Sequence, residues 1–470
     1  MSSERIPPSA PGPRVPLWFL LTTVLSVALA GIAGVLCGRR LAPGANLPAE
    51  ELRILSLAYD HIDEHYIFEL PEERRSELMH SAIAGMVEHL DHYSRYYPPQ
   101  KEELYNRNTN GIMTGIGVVV QTSGDHVLLV YPYPDGPAAR AGLEVGDIIT
   151  AIGDKAVQTM EQAVELIRGE PDSPVRLTVR RGGAAPRVFE LNRGAVRLPS
   201  VKWARLLDRE AGIGYVYLEK FTRNSDTELT AELAYLEKEL GRRLSGLVVD
   251  LRHNPGGLLP TCLALTNRFI PSGTLVTLKR REHKDEEHRA NPARCTRPDL
   301  ALAVLIDGES ASASEVFAGA LQDHGRARLV GTRSFGKGVV QTVFRWSKHK
   351  IRLKFTTSYY VTPNGRTIEK ELRPAGSQVE GGLAPDRAVP FADRAAQRAV
   401  LLRLHRREVP REYRAAVTAL ADQVSGVSVS QPLGPDRDAQ LAAGLEEVRS
   451  ALARRPAKAP NAGTPRAPAT

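Results

Sequence analysis

The stretch from Leu300 to Gln341 constrains the fold of this chain more than any other. Leu300–Ile306 is an uninterrupted apolar run, which predicts a short buried strand. A polar turn ends this run, and a helix is predicted up to about Asp323. A second short strand is predicted at Ala327–Val330. This order places small hydroxyl residues at a strand-to-helix turn, where a nucleophile can be exposed.

Two motifs in this stretch suggest chemistry, and each has a structural alternative. Ser310–Glu315 has the sequence Ser-Ala-Ser-Ala-Ser-Glu, and Ser312 with Glu315 fits a helix capping box, which the local pattern alone favours. Further on, Lys337 stands between two glycines. Glycine allows a backbone to approach closely or to adopt a positive φ. On its own, this second motif favours a turn with a solvated lysine.

Together the motifs resemble those of the carboxyl-terminal processing peptidases, serine proteases with a Ser–Lys dyad and an inserted PDZ domain. The resemblance is carried by the serine-rich run, by Ala318–Asp323, by Phe335–Gly338 and by Gln341. It implies that Ser312 is the nucleophile, Lys337 the general base and Gln341 the partner of the lysine. No cofactor is implied.

The resemblance extends over about residues 50 to 390 and implies an α/β fold. Its parts would be a crotonase-like protease core, an N-terminal helical region, an inserted PDZ domain and an N-terminal transmembrane segment. The predicted segments are a disordered tail (1–16), a transmembrane signal anchor (17–38), a helical region (48–110), a PDZ domain (111–194), a protease core (197–390), a helical C-terminal extension (391–455) and a disordered tail (456–470).

A third motif lies at the end of a predicted buried strand, Leu244–Leu251. Residues Asp250–Gly257 resemble the Asp-Leu-Arg-x-Asn-Pro-Gly-Gly motif of the same family. The resemblance implies that an N–H of Gly256 or Gly257 joins the N–H of Ala313 as an oxyanion hole. Each such donor can contribute about 3 kcal/mol. A turn that starts a helix is the structural alternative for Pro-Gly-Gly.

The segment 111–194 resembles a PDZ domain. Gly115-Ile116-Gly117 fits its carboxylate-binding loop, and a strand is predicted to begin at Val118. Successive N–H groups of a glycine-rich turn form an anion nest, and an extended peptide can add beside the strand. Met160–Arg168 is the predicted groove helix. Arg168 is the candidate for a gating contact with Gln341.

The amino-terminal segment predicts a membrane attachment. Leu17–Gly38 contains no charged residue and is long enough to span a bilayer. A cleaved signal peptide, with Ala28-Leu29-Ala30 as the cleavage site, is the alternative. The run continues beyond Ala30, which favours the uncleaved anchor. The net charge of +8 suits an anionic membrane surface, and no nucleic-acid motif is present.

Metal and disulfide chemistry find little support in the sequence. His61–His65 fits the H-x-x-E-H zinc pattern, but no third ligand follows, so no metal is expected. Cys37 lies in the apolar segment, and Cys262 and Cys295 are expected to be buried free thiols. Two cysteines do not form a disulfide framework.

The uncharged segment predicts a membrane anchor, and the resemblance implies a serine endopeptidase whose protease domain lies outside the cytoplasm. It would act on proteins or peptides with accessible C-termini, and a homo-oligomer is considered. A Ser-His-Asp hydrolase with His253 or His324 as base is one alternative, and an inactive PDZ adaptor is another. Asp323 is a weaker, structural candidate. Lys337 must lose its proton near neutral pH, although an unperturbed lysine has a pKa of about 10.4, so burial of this side chain is predicted.

Overall fold

The computed structural model describes residues 49–101, 112–281, 283–370, 380–405, 409–424, 427 and 434–455. The chain divides into two compact units, Met1–Ser81 and Ala82–Thr470. The predicted membrane anchor, residues 17–38, and the two predicted disordered tails lie outside the described residues. Within those residues, no helix combines the length and the apolar character needed to cross a membrane.

The first unit contains helix α1 (Ala49–His65) and the beginning of helix α2 (Glu72–Glu88). Both helices fall in the segment predicted as helical. The ion pair between Asp63 and Arg75, with 2.6 Å between Oδ1 and Nε, joins them. No residue of α1 is buried, and large apolar side chains such as Leu52 and Ile62 are exposed.

The second unit contains the rest of α2 and the remaining elements. Its strands are β1 (Arg95–Tyr97), β2 (Ile112–Gly115), β3 (Val118–Ser123), β4 (His126–Pro132), β5 (Ile148–Ile152), β6 (Lys155–Ala156), β7 (Pro174–Arg180), β8 (Arg187–Asn192), β9 (Gly194–Arg197), β10 (Val201–Asp208), β11 (Ile213–Leu218), β12 (Gly246–Asp250), β13 (Thr274–Arg280), β14 (Glu286–Arg289), β15 (Ala301–Ile306), β16 (Ala327–Gly331), β17 (Val339–Trp346), β18 (Ile351–Val361) and β19 (Arg387–Ala388). Its helices are α3 (Pro137–Arg140), α4 (Met160–Ile167), α5 (Ser225–Leu240), α6 (Leu259–Asn267), α7 (Ala313–Asp323), α8 (Arg394–His405), α9 (Arg414–Gln423) and α10 (Ala439–Ala453).

A six-stranded sheet in the order β10-β11-β12-β15-β16-β19 forms the centre of the core. It is parallel from β11 onward, and β11, β12 and β15 are buried along their whole length. Their continuous apolar runs are typical of strands covered on both faces. Helices α5, α6 and α7 cover one face, and α8 and α10 cover the other. The carboxyl ends of β12 and β15 therefore lie side by side, and the loops that follow them can meet there.

A second, antiparallel sheet is built around β18, which pairs with β1, β13 and β17. Strand β1 precedes the predicted PDZ segment in the chain, so that segment is inserted within the core. Here the structure differs from the prediction of a helical region over 48–110, because Arg95–Tyr97 is a strand. Two consecutive tyrosines favour a strand, and the prolines that follow them disfavour helix.

The segment predicted as a PDZ domain has its own sheet and its own apolar core. The sheet has the order β3-β4-β5-β7-β8, with β6 beside β5, and α4 packs on the core beneath it. Strand β3 lies at one edge of this sheet. Strands β2 and β9 form an antiparallel ribbon, in which Ile112 pairs with Arg197 and Gly115 pairs with Gly194. The chain enters the inserted domain through β2 and leaves it through β9.

The C-terminal segment, residues 391–455, contacts both domains. Helices α8 and α10 pack on the central sheet, whereas α9 packs on β4 of the inserted domain through Val417. The ring of Tyr413 stacks on that of Tyr131 in β4, with 6.4 Å between their centroids. Arg411 pairs with Glu232 of α5 in the core. The predicted extension therefore links the inserted domain to the core.

A buried ion cluster ties α10 to the end of β12. The guanidinium of Arg252 is paired with Asp250, at 2.6 Å, and with Asp438, at 2.8 Å, and all three side chains are almost completely buried. Gln440 also accepts a hydrogen bond from Arg252 at 3.1 Å, and Tyr215 donates to Asp250 at 2.9 Å. Arg252 is the first residue of the loop that carries the predicted oxyanion motif. The C-terminal segment therefore holds the start of that loop through this ion cluster.

We predict that Asp438→Ala destabilises the protein strongly. The substitution removes one of the two carboxylates of a buried guanidinium, and also the N-cap of α10. We expect the free energy of unfolding to fall by about 3 kcal/mol, the lower end for a broken buried pair, because Asp250 remains. Urea denaturation followed by circular dichroism measures the change. The control Asp436→Ala, an exposed carboxylate, should cost less than about 0.5 kcal/mol. Equal stability of the two variants would contradict the role of the cluster.

Candidate active site

Ser312 lies at the turn between β15 and α7, as the sequence predicts. It is the N-cap of α7 and has φ +56° and ψ −117°. A residue with a Cβ adopts this backbone region only at a cost on the order of 1–3 kcal/mol, and such strain is concentrated at functional sites. The Oγ of Ser312 lies 2.8 Å from the hydroxyl of Tyr360 on β18.

The carboxylate of Glu315 joins the turn of Ser312 to the loop of Lys337. Its Oε2 accepts the backbone N–H of Ser312 at 2.9 Å and that of Lys337 at 2.8 Å. Its Oε1 accepts the N–H of Gly336 at 2.7 Å and the hydroxyl of Ser334 at 2.6 Å. Burial raises the pKa of Glu315, and these four hydrogen bonds to the ionised form oppose the rise. The glutamate of the predicted capping box is therefore also the link between the two candidate catalytic residues.

The loop of Lys337 needs both of its glycines. Gly336 has φ +92°, and a Cβ on Gly338 would lie 2.5 Å from the backbone nitrogen of Glu369. The lysine amine lies 4.3 Å from the centre of the Tyr93 ring. Burial, and then the positive charge of Lys354, lower the pKa of Lys337, as the prediction of a general base requires.

Two predicted contacts of Gln341 are not formed in the structure. Its amide nitrogen donates to Thr356 Oγ1 at 3.4 Å, so this amide does not orient the amine of Lys337. Arg168 is exposed at the C-cap of α4, and no hydrogen bond joins it to Gln341 among the described residues. Nor does one join the amine of Lys337 to Ser312 in the described part of the chain. The gating role of Arg168 stays a prediction.

The predicted oxyanion loop lies against the turn of Ser312. A Cβ on Gly256 would lie 2.8 Å from the backbone nitrogen of Ala313, which shows how closely the two loops approach. The N–H of Gly256 is already bonded to Asn254 Oδ1 at 2.8 Å. Among the described residues, the N–H groups of Gly257 and Ala313 have no such acceptor. These two are therefore the available donors, and Gly256 shapes the loop.

Asn254 is a residue to which the sequence motif assigns no role. Its carbonyl oxygen accepts the N–H of Ala311 at 3.0 Å and the hydroxyl of Ser314 at 2.9 Å. Its side-chain amide donates to the carbonyl of Leu218 at 2.7 Å. Asn254 thus fixes the oxyanion loop to both the serine turn and the central sheet. In the sequence, only its position in the motif indicated that this residue matters for the site.

The two histidines considered as alternative bases have other partners. The Nδ1 atom of His253 lies 2.9 Å from Asp307 Oδ2, and this carboxylate raises the pKa of His253. His324 caps the far end of α7, about 18 Å along the helix from Ser312, and its Nε2 lies 2.7 Å from the carbonyl of Thr274. The distance excludes His324 as the base in this arrangement.

Asp323 has a structural role, as predicted for this weaker candidate. Its carboxylate accepts the backbone N–H of Asn364 at 2.8 Å and pairs with Arg366. Both partners belong to the turn after β18. Asp323 therefore anchors that turn to the end of α7, away from Ser312.

Comparisons with known proteins identify the family of this chain. The sequence profile of peptidase family S41 matches residues 212–389, and that of the PDZ domain matches residues 129–181. A carboxy-terminal-processing protease of Bartonella bacilliformis is 35% identical over 315 residues, which cover 66% of this chain and 71% of the relative. This chain belongs to peptidase family S41. A probable CtpA-like serine protease of Staphylococcus saprophyticus is 30% identical over 375 residues, covering 79% and 72% of the two chains.

Solved structures include a similar member of the same class. The photosystem II D1 C-terminal processing protease is 28% identical, with a TM-score of 0.41, and the match covers 73% of this chain and 94% of that one. The S41 and PDZ matches, together with the relatives, confirm the predicted α/β protease core with a PDZ domain. The chain is a serine-type peptidase of the carboxyl-terminal processing kind.

The PDZ domain of this S41 peptidase presents an edge strand beside a glycine-rich loop. The carbonyl oxygens of Ile116 and Gly117 accept the N–H groups of Ala138 and Tyr133, both at 2.8 Å. Gly117 has φ +74°, which a residue with a side chain rarely adopts. Strand β3, which begins at Val118, pairs only with β4 in the described sheets. The loop and the open edge thus have the form that addition of a peptide strand requires.

The histidines and cysteines of the described chain form neither a metal-binding cluster nor a disulfide. No cluster of His, Cys, Asp or Glu that could hold a metal occurs among the described residues, which include His61 and His65. Cys262 and Cys295 are free thiols. Cys262 is buried, and its thiol donates to the carbonyl of Ala313 at 3.1 Å. Burial raises the pKa of this thiol to about 12, so it stays protonated at neutral pH.

We predict that Glu315→Gln disrupts the active site of the S41 peptidase. Glutamine keeps the shape of glutamate but replaces one acceptor oxygen with an NH₂ group, which faces N–H donors. We expect the free energy of unfolding to fall by about 1–3 kcal/mol, because buried donors lose their acceptor. Peptide cleavage should fall as well, because the NH₂ group at either oxygen position faces a backbone N–H of the lysine loop, Lys337 or Gly336, which then loses its acceptor.

The matched control for this prediction is Glu309→Gln. Glu309 is an exposed glutamate on the same loop, so its amide should change neither stability nor cleavage. Urea denaturation and peptide cleavage are measured on both variants. A Glu315→Gln enzyme that is as stable and as active as the wild type would show that the link is dispensable.

Proposed function

We propose that this S41 peptidase cleaves peptide bonds with Ser312 as nucleophile and Lys337 as general base. One observation supports this most: a single carboxylate oxygen of Glu315 accepts the backbone N–H groups of both residues. The two backbones are thereby fixed at a short separation. In the proposed mechanism, the lysine side chain changes its torsions, so that its amine leaves the Tyr93 ring and approaches Oγ.

The proposed reaction follows the usual two stages of acyl transfer. Oγ of Ser312 attacks the carbonyl carbon of the substrate while the amine of Lys337 takes its proton. The N–H groups of Gly257 and Ala313 donate to the resulting oxyanion. Lys337 then gives the proton to the leaving amine, and the acyl-enzyme forms. In the second stage, Lys337 takes a proton from the attacking water, and hydrolysis of the ester restores Ser312.

The proposal extends to the substrate and to the location of the enzyme. A free C-terminal carboxylate would bind at Gly115–Gly117, and the last residues of the substrate would lie beside Val118. Gly117 at positive φ and the open edge of β3 support this mode. The uncharged segment 17–38 supports attachment to a membrane, and the resemblance to the carboxyl-terminal processing peptidases supports a protease domain outside the cytoplasm. The gating contact of Arg168 and a homo-oligomer stay predictions from the sequence.

The dyad predicts that Lys337→Arg abolishes cleavage even though the positive charge is kept. Arginine cannot give up its proton at any relevant pH, so the general base is lost. We expect kcat to fall by about 100- to 10,000-fold, the range for a lost general base. Ser312→Ala is the reference for a lost nucleophile. Cleavage of an unstructured protein is followed by mass spectrometry. Near-normal cleavage by the Lys337→Arg enzyme would reopen the hypothesis of His253 as base.

The pH dependence adds a sharper measurement to the same test. Only the neutral amine is a base, so the rate should rise with pH through a pKa below that of free lysine. Lys354 lowers the pKa of Lys337 by charge repulsion. Replacing it by methionine removes this effect, so the rising limb should move to higher pH and the rate at neutral pH should fall. A limb that stays in place would contradict the assignment of the titrating group.

If the PDZ domain binds a free C-terminus, peptides with a C-terminal acid and with a C-terminal amide should bind with different affinities. Amidation removes the charge that the loop at Gly115–Gly117 would bind, and charge-assisted hydrogen bonds of this kind contribute about 1.5–3 kcal/mol. We expect affinity to fall by about 10- to 100-fold for the amide, measured by fluorescence anisotropy with Ser312→Ala protein. The same peptide acetylated at its N-terminus is the control and should bind normally. Equal affinity of acid and amide would refute carboxylate recognition.

A further inference from the structure

Tyr360 contacts the oxygen of the candidate nucleophile, yet the mechanism above does not use it. Its side chain is 3% exposed, and its hydroxyl lies 2.8 Å from Oγ of Ser312. Its backbone N–H donates to the carbonyl of Gly338 at 2.7 Å. Tyr360 is therefore bonded through its side chain to the serine turn and through its main chain to the lysine loop.

The direction of the hydrogen bond between the two hydroxyls follows from their chemistry. A phenol is a stronger acid than an alkyl alcohol and is therefore the better donor. Burial raises the pKa of Tyr360, so the phenol keeps its proton throughout the neutral range. A serine hydroxyl has one proton and two acceptor sites. When Tyr360 donates, the proton of Ser312 remains available to Lys337.

We propose that Tyr360 is a further catalytic residue, whose hydroxyl donates to Oγ of Ser312, fixes the serine rotamer and stabilises the negative charge that develops on Oγ during attack. The inference rests on the proposed Ser–Lys function. In the step concerned, the proton of Oγ passes to the amine of Lys337, the bond between Oγ and the carbonyl carbon forms, and the carbonyl electron pair moves to the oxyanion. Tyr360 keeps its own proton.

The geometry suits a donor that stays in place during the reaction. Tyr360 lies on β18, which is paired with strands on both sides, and its ring belongs to the apolar core of the peptidase. A donor fixed in this way needs no reorganisation when charge develops, which is the condition under which such donors are most effective. The lysine amine, by contrast, lies on the face of the Tyr93 ring and must move.

The test removes only the hydroxyl, with Tyr360→Phe, and compares it with Tyr359→Phe. Tyr359 is the preceding residue of the same strand and is 38% exposed, so it is a matched control. Two rates are measured against pH: peptide cleavage, and covalent labelling of the serine by a fluorophosphonate. A hydrogen bond to developing charge contributes about 1.5–3 kcal/mol, which corresponds to a loss of about 10- to 100-fold.

We expect Tyr360→Phe to lower both kcat and the labelling rate by about this factor. KM and the midpoint of the pH profile should stay unchanged, because neither the substrate groove nor the surroundings of Lys337 change. Tyr359→Phe should behave like the wild type. Rates for Tyr360→Phe that equal or exceed those of the wild type would overturn the inference. Faster rates would mean that the tyrosine restrains the serine.

A second measurement does not depend on activity. The melting temperature is determined for the wild type, Tyr360→Phe, Ser312→Ala and the double variant. If the hydroxyls are bonded, Tyr360→Phe should lower the melting temperature less in the Ser312→Ala background than in the wild type. An equal loss in both backgrounds would show that the two groups are not coupled, and would overturn the inference.

The same set of variants separates this inference from the proposed function. Labelling or cleavage that persists in Ser312→Ala would refute the Ser–Lys mechanism, whatever Tyr360→Phe does. An inactive Ser312→Ala protein combined with a fully active Tyr360→Phe protein would refute only the role of Tyr360.

Discussion

The buried carboxylate of Glu315 is the interaction on which the active site depends most. Four donors converge on it, two from the lysine loop backbone, one from the backbone of Ser312 and one from Ser334. Ser334 in turn accepts the N–H of Leu383 at 2.7 Å, which brings a third loop to the same point. A carboxylate with this many partners has one position in which all are satisfied. The separation of the Ser312 and Lys337 backbones is set by that position.

The support of the oxyanion loop comes from residues far away in the chain. Arg252 and Asp438 are 186 positions apart, and their ion pair joins α10 to the loop that follows β12. The same C-terminal segment stacks Tyr413 on the PDZ domain. The segment predicted as an extension is part of the structure that positions the site.

The sequence predicted the parts of the site that depend on short motifs and on buried strands. Leu300–Ile306 could be recognised because a strand covered on both faces is a continuous apolar run. Tyr360 could not, because its contact with Ser312 depends on how the second sheet packs on the first, and no local pattern records this. Helix α9 falls within the predicted helical extension, but the packing of its buried residue Val417 on β4 could not be predicted, because it joins segments far apart in the chain. The motif identified Gln341, but its hydrogen-bond partner, Thr356, follows from the pairing of β17 with β18.

The pKa of Lys337 is set by effects that oppose one another. Burial and Lys354 lower its pKa, while the carboxylates of Glu369, Asp91 and Glu315 raise it. The face of the Tyr93 ring also favours the ammonium form, because a cation is attracted to the negative face of an aromatic ring. A peptide in the active site excludes water and so adds to the desolvation. The neutral form is then favoured when substrate is present, and leaving the Tyr93 ring costs the neutral amine less than it costs the ammonium. In the proposed Ser–Lys mechanism, proton loss from Lys337 and its movement toward Ser312 would therefore be linked, and substrate binding would favour both.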